Sequence, residues 1–141
     1  MINLLMNILW LLLFGWNAGL AWLTATLVMV ISIVGIPWAR AALNIAIFMF
    51  WPFGRVAVSR DDLTGREDLG TGPLGFIGNV IWFLFGGIWL GLGHLIIGLA
   101  CCITVIGIPF GLQHFKFAGL AFAPIGKTII DREVADAMRY R

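Results

Sequence analysis

Histidine and cysteine are the side chains that most often ligate metals or act as nucleophiles, and the chain holds two of each: His94, Cys101, Cys102 and His114. On a helix, His94 and Cys101 are seven residues apart and share a face, whereas Cys102 is turned away by about 100°. No Cys-x-x-Cys or His-x-x-x-His spacing occurs, and no acidic residue accompanies the four in their apolar surroundings. Adjacent cysteines in such a setting read as small, reduced packing residues. No metal and no cofactor is expected.

General acid–base chemistry needs carboxylates held in environments that split their pKa values. All seven, Asp61, Asp62, Glu67, Asp68, Asp131, Glu133 and Asp136, lie in two polar segments and read as solvated charges. An intramembrane proton relay would need an acid or a tight histidine chain inside the apolar blocks, and the linear sequence presents neither. The chain is not expected to be an enzyme.

Two cations stand apart from the polar segments. Arg40 and Lys116 interrupt long apolar blocks, where a charge is costly by at least ~2.5–3.5 kcal/mol and normally faces a partner or water. Asn44 lies four residues after Arg40, and Gln113 three before Lys116, so each pair falls on neighbouring helical positions. Arg40, Asn44, Gln113 and Lys116 therefore read as a polar stripe whose charge is positive only. Such a stripe would favour anions if it lined water. The competing reading of Arg40, three residues past a proline, is snorkelling to the headgroups.

These residues sit in a chain of 141 residues that is 61% hydrophobic and 11% charged. Soluble domains carry roughly 25% charged residues, and the mean hydropathy of +1.00 makes lipid the solvent. A soluble nucleotide-binding fold or metalloenzyme is excluded, and a net charge of +2 gives no footprint for nucleic acid. No charge occurs in residues 2–39 or 69–115. Apolar stretches of this length exceed the ~20 residues of one helical span, so the protein is polytopic. Residues 1–7 lack a basic region and the apolar run continues beyond them, so no cleaved leader is expected.

The apolar blocks are copies of each other. Displacing the sequence by 72 positions aligns residues 7–56 with 79–128 without a gap, and sixteen of the fifty positions are identical. Asn7 meets Asn79, Trp10 meets Trp82, and Gly15-x-x-x-Gly19 meets Gly87-x-x-x-Gly91. Gly35-Ile36-Pro37 meets Gly107-Ile108-Pro109, and Pro52-x-Gly54-Arg55 meets Pro124-x-Gly126-Lys127. Such duplication decides an architecture. Glycine just before proline stops one helix and starts the next, so each copy reads as a helical hairpin turning at Gly35–Pro37 or Gly107–Pro109. The spacing of Gly15, Gly19, Gly87 and Gly91 allows close helix approach in lipid, within the chain or between chains.

The expected fold is an all-α membrane protein of four transmembrane helices, built as two tandem, parallel hairpins. Residues 1–56 form the first, 57–73 a polar cytoplasmic linker, 74–129 the second, and 130–141 a short amphipathic tail helix striped by Ile130, Val134 and Met138. Seven of the nine Lys/Arg residues fall in the polar stretches 55–68 and 127–141, which places linker, tail and both termini in the cytoplasm. The first segment of each copy (4–34 in the first) is long for one span and the second (38–53) is short. A break near Gly15 or Gly87 would resolve this, with 4–14 lying in the interface and Trp10, Trp16, Trp22, Trp82 and Trp89 marking the boundary. A re-entrant second segment is the alternative.

Two hydrophobic copies, each with Val/Ile-Gly-Ile-Pro and Pro-x-Gly-Arg/Lys, joined by a short polar linker, resemble the YccF-type inner-membrane component domain family. The residues carrying the resemblance are Asn7, Leu9, Trp10, Gly35, Ile36, Pro37, Pro52, Gly54 and Arg55, then Asn79, Ile81, Trp82, Gly107, Ile108, Pro109, Phe115, Lys116, Pro124, Gly126 and Lys127. The resemblance implies a bacterial inner-membrane protein with two spans per copy, and it brings no activity or site residue. Four helices of one small chain are expected to pack solidly. The polar stripe therefore points to a homo-oligomer with an anion-favouring permeation path between protomers. The rival expectation is a non-conducting accessory protein that scaffolds a partner.

Overall fold

The computed structural model describes residues 1–139, which are mostly helical. A long helix α1 (Ile2–Ile31) and a short helix α2 (Ile36–Phe50) are followed by a strand β1 (Arg55–Ser59) and a helical turn α3 (Arg60–Thr64). The second copy repeats the order with α4 (Pro73–Cys102), α5 (Ile108–Phe122) and β2 (Lys127–Asp131), and α6 (Arg132–Arg139) closes the described chain. Two compact units result: one of residues 1–75 with 125–141, the other of residues 76–124.

The arms of each hairpin are unequal. α1 and α4 have 30 residues each, about 45 Å at 1.5 Å per residue. α2 and α5 have 15 each, about 22 Å, which is short of the ~30 Å hydrocarbon core. Among the described residues, only the long arms have the length and composition of a complete span.

The expected break near Gly15 and Gly87 is instead a widened turn in a continuous helix. Leu11–Gly15 and Phe83–Gly87 are π-helical, at aligned positions of the two copies. A tryptophan precedes each: Trp10 donates its indole N–H to the Met49 carbonyl at 2.6 Å, and Trp82 to that of Ala121 at 2.7 Å. These acceptors lie at the C-terminal ends of the short arms, where helix carbonyls lack intrahelical donors and lipid supplies none. A Cβ on Gly15 would lie 2.7 Å from the Trp10 ring, so only glycine lets the indole lie there. In the first unit Asn7 completes the clasp. Its amide donates to the Phe53 carbonyl at 2.9 Å and accepts from the Phe53 N–H at 2.8 Å.

Trp10, Trp22 and Trp82 are therefore buried inside hairpins and do not form an interfacial belt; Trp16 and Trp89 face outward. The glycine pairs are also internal. A Cβ on Gly19 would overlap the Phe50 ring, and one on Gly91 the Phe122 ring. Each Gly-Ile-Pro turn is held by a hydroxyl three residues before its glycine: Ser32 Oγ accepts from the Gly35 N–H at 3.1 Å, and Thr104 Oγ1 from the Gly107 N–H at 3.0 Å.

The all-α expectation is corrected by a two-stranded antiparallel sheet, with Arg55 opposite Asp131 and Ser59 opposite Lys127. Two further bonds extend it, Arg60 N–H to the Gly126 carbonyl and Arg132 N–H to that of Gly54, both at 2.9 Å. Gly54 and Gly126 take φ of +91° and +90°, a left-handed turn that suits glycine and redirects the chain from hairpin to strand. Each strand is too short to reveal itself by alternation, and each partner lies some seventy residues away. The sheet also takes Ile130, so the tail helix begins at Arg132, and its large exposed apolar residues among those described are Val134 and Met138. Tyr140 and Arg141 of the expected 130–141 helix lie outside the described residues.

Candidate functional site

Residues of the short arms divide into an inner and an outer face. In α2 the inner face is made of small and apolar side chains, Ala39, Ala42, Ala46 and Met49, all buried. Arg40 and Asn44, one turn apart, are exposed on the opposite side. In α5, Phe110, Gln113, Phe117 and Leu120 recur at helical spacing on the buried side, and Lys116 is exposed. The expected four-residue stripe is thus split. Arg40, Asn44 and Lys116 face outward, but Gln113 is only 5% exposed and faces the hairpin interior. Positions three apart differ by about 60° around a helix, and the edge of the packed face falls between Gln113 and Lys116.

The second hairpin brings together two residues the sequence kept apart. His94, on the long arm, and His114, on the short arm, place their Nδ1 atoms 2.9 Å from each other. Their ring centroids are 5.2 Å apart, and the Phe117 ring lies 5.5 Å from that of His94. Both histidines are buried. At this separation one Nδ1 donates a proton to the other, and which ring donates is set by tautomer. Among the described residues no group of three or more His, Cys, Asp or Glu is placed to hold a metal ion. Cys101 and Cys102 are free thiols near the turn.

This corrects the reading that no tight histidine pair exists within the apolar blocks. Spacing along one helix shows only that helix's own neighbours, whereas the partner comes from folding the hairpin about Gly107–Pro109. Aligning the copies adds a second signal. His94 corresponds to Trp22 and His114 to Ala42, and both of those are fully buried in the first hairpin.

The polar segment after the first hairpin is folded. Arg60 donates from Nε and Nη2 to the two oxygens of Asp68 at 2.6 and 2.7 Å. Asp68 Oδ1 also accepts the N–H of Gly70 at 2.7 Å and of Thr71 at 3.1 Å. The Arg60 guanidinium and these backbone donors hold the Asp68 carboxyl well below the usual carboxylate range, and Asp68 in turn raises Arg60.

The two tandem copies match a known family. The model of the YccF inner membrane component domain matches twice, at residues 5–55 and 77–127. The inner membrane protein YccF of Escherichia coli (strain K12) is 39% identical over 137 residues, covering 95% of this chain and 91% of that protein. The Shigella flexneri protein of the same name matches to the same extent. No solved structure matches the chain. With two domain copies that fill most of its length, the chain belongs to the YccF inner membrane component domain family and is an integral inner-membrane protein.

Proposed function

We propose that the protein is a homo-oligomer that forms an ion-permeation path between protomers, favouring anions and lined by Arg40, Asn44 and Lys116. One observation carries this reading: the Arg40 and Lys116 cations and the Asn44 amide of the short arms lie on outward faces. In a lone protomer those faces would meet hydrocarbon or headgroups. A water-lined seam between copies stabilises them and gives an anion a row of donors with no carboxylate. The interior of each hairpin is filled by side chains such as Trp22 and Phe117, so the path runs between chains. It uses no cofactor and involves no enzymatic step.

The membrane topology that goes with this reading has two crossings per hairpin. Both hairpins lead into one antiparallel ribbon, β1 with β2, which supports linker and tail on one side of the bilayer. Their Lys/Arg content makes that side the cytoplasm. The turn residues and the chain after Phe50 supply the reach that the short arm lacks. Because Gly15, Gly19, Gly87 and Gly91 are used inside the hairpins, the oligomer is held by other surfaces.

A chloride-flux assay in liposomes, paired with mass measurement in nanodiscs, tests the proposal. Flux above empty vesicles is expected, with Arg40→Ala and Lys116→Ala each reducing anion selectivity. A monomeric mass, or background flux from correctly inserted protein, would overturn it. The accessory role has one observation in its favour, the exposed Val134 and Met138 on α6. In that case removing residues 132–141 would release a co-purifying partner and flux would stay at background.

A further inference from the structure

We propose that His94 and His114 form a one-proton binding site buried in the second hairpin, with the two rings acting as a single acid. The proposal is independent of permeation and rests on three observations.

The first is geometry. The Nδ1 atoms are 2.9 Å apart, a hydrogen-bond distance at which one proton sits between two nitrogens. Two lone pairs, or two N–H groups, could not face each other there. A linear metal ion would need the nitrogens about 4 Å apart, twice a typical metal–imidazole bond. A proton fits the gap.

The second is the comparison between copies. The same two positions hold Trp22 and Ala42 in the first hairpin, with nearly the same combined volume and no pair of facing ring nitrogens. Packing therefore does not require two histidines. The second hairpin holds there a pair whose facing ring nitrogens must satisfy each other.

The third is the surroundings. The two helices packed around the pair, α4 and α5, contain no Asp, Glu or Arg. Their other titratable groups are Cys101 and Cys102, about two turns further along α4, and Lys116 on the outer face of α5. No carboxylate on these helices competes for the proton, so the two rings alone must spread the charge it brings.

The chemistry balances simply. The neutral pair holds two ring protons, one bridging the Nδ1 atoms and one on Nε2 of the accepting ring. The Nε2 lone pair of the donor ring takes a proton from hydronium, forming one N–H bond as one O–H bond breaks and leaving neutral water. The result is a His–H⁺–His cation whose charge the bridge distributes over both rings. Release reverses the step. The protonated second hairpin then carries an internal positive charge that its counterpart, with Trp22 and Ala42, cannot acquire.

The test is a titration of the full chain in nanodiscs with ¹⁵N-labelled histidine, from pH about 8 to about 4, the range that brackets imidazole protonation. The chain has only two histidines, so all ring signals are assignable. The expected result is one step in which both rings shift together. A parallel potentiometric titration should show wild type taking up one proton per chain more than the His94→Trp/His114→Ala variant, which reproduces the first hairpin's pair. Uptake of none or of two, or rings that titrate separately, would overturn the proposal. If the double variant does not fold, His94→Gln serves instead: its amide still faces His114, and the concerted two-ring step should vanish. Persistence of an unchanged step at His114 would count against the shared site.

Discussion

The two hairpins share a frame and differ in what fills it. Both have a 30-residue arm with a π-turn, a 15-residue arm, and a tryptophan that caps the short arm's last carbonyls. Both pack a glycine on a phenylalanine ring, Gly19 on Phe50 and Gly91 on Phe122. The tryptophans satisfy a backbone carbonyl and the glycines permit a close approach. Both are demands that lipid imposes equally on any hairpin. The features that differ are side chains with no such duty: Trp22 and Ala42 against His94 and His114 inside, Arg40 against Leu112 outside. Duplication has kept what closes the hairpin and left the interior and outer face to diverge, so function is to be sought in the differences.

The largest effects should come from breaking the shared frame. Trp10→Ala removes a fully buried ring and should destabilise the first hairpin by about 3–5 kcal/mol. Trp10→Phe, which removes mainly the N–H to Met49, should lose only about 1–2 kcal/mol. Trp82→Ala and Trp82→Phe should give the same ordering in the second hairpin. Unfolding in mixed micelles followed by tryptophan fluorescence and circular dichroism measures all four. If the Trp82 variants were benign while those of Trp10 were not, the equivalence of the two clasps would fail.

Exchanging the interior residues sharpens the same comparison. His114→Ala alone leaves the buried His94 Nδ1 without its partner, for a loss of about 1–3 kcal/mol. His94→Trp alone overfills the site beside His114, for about 1–3 kcal/mol. Made together they restore the first hairpin's pair, and the double variant should lie within about 1 kcal/mol of wild type. A strong coupling energy in this cycle is the signature of direct contact. Simple additivity would mean that the two positions do not meet as described.

How much of this could be read in advance follows from the range of each interaction. Asn7, Trp10, Gly35, Pro37 and their copies stood out because the repeat displayed them twice, and helical hairpins follow from local signals that glycine and proline provide. The partner of Trp10 is 39 residues away and that of His94 is 20, and contacts across a hairpin depend on register that helical periodicity along one arm does not contain. Gln113 was placed with Lys116 for the same reason: spacing gives the angle between two side chains, but not where the packed face ends. The β1–β2 ribbon was hidden most deeply. Its strands of five residues carry little pattern of their own and exist because each supplies the other's hydrogen bonds.

The smallest effect is expected where the copies have no counterpart, in the linker. Asp68 is exposed in part, so its bond with Arg60 is worth little in water, yet it gathers the guanidinium and two backbone N–H groups into one loop. Its carboxyl is held below the ordinary range when folded. The stability it adds is therefore complete above the unfolded carboxylate pKa of about 3.9 and disappears as pH falls through the folded value. Asp68→Asn should destabilise the linker by no more than about 1 kcal/mol near neutrality, and the gap from wild type should close in strong acid. Amide exchange at Gly70 and Thr71, measured against pH, follows this loop directly. Faster exchange in Asp68→Asn at those two positions, with none at the hairpin clasps, would show the linker opening by itself. If the clasps loosened with it, the polar segment would be part of the frame and no longer a connection between two independent copies of it.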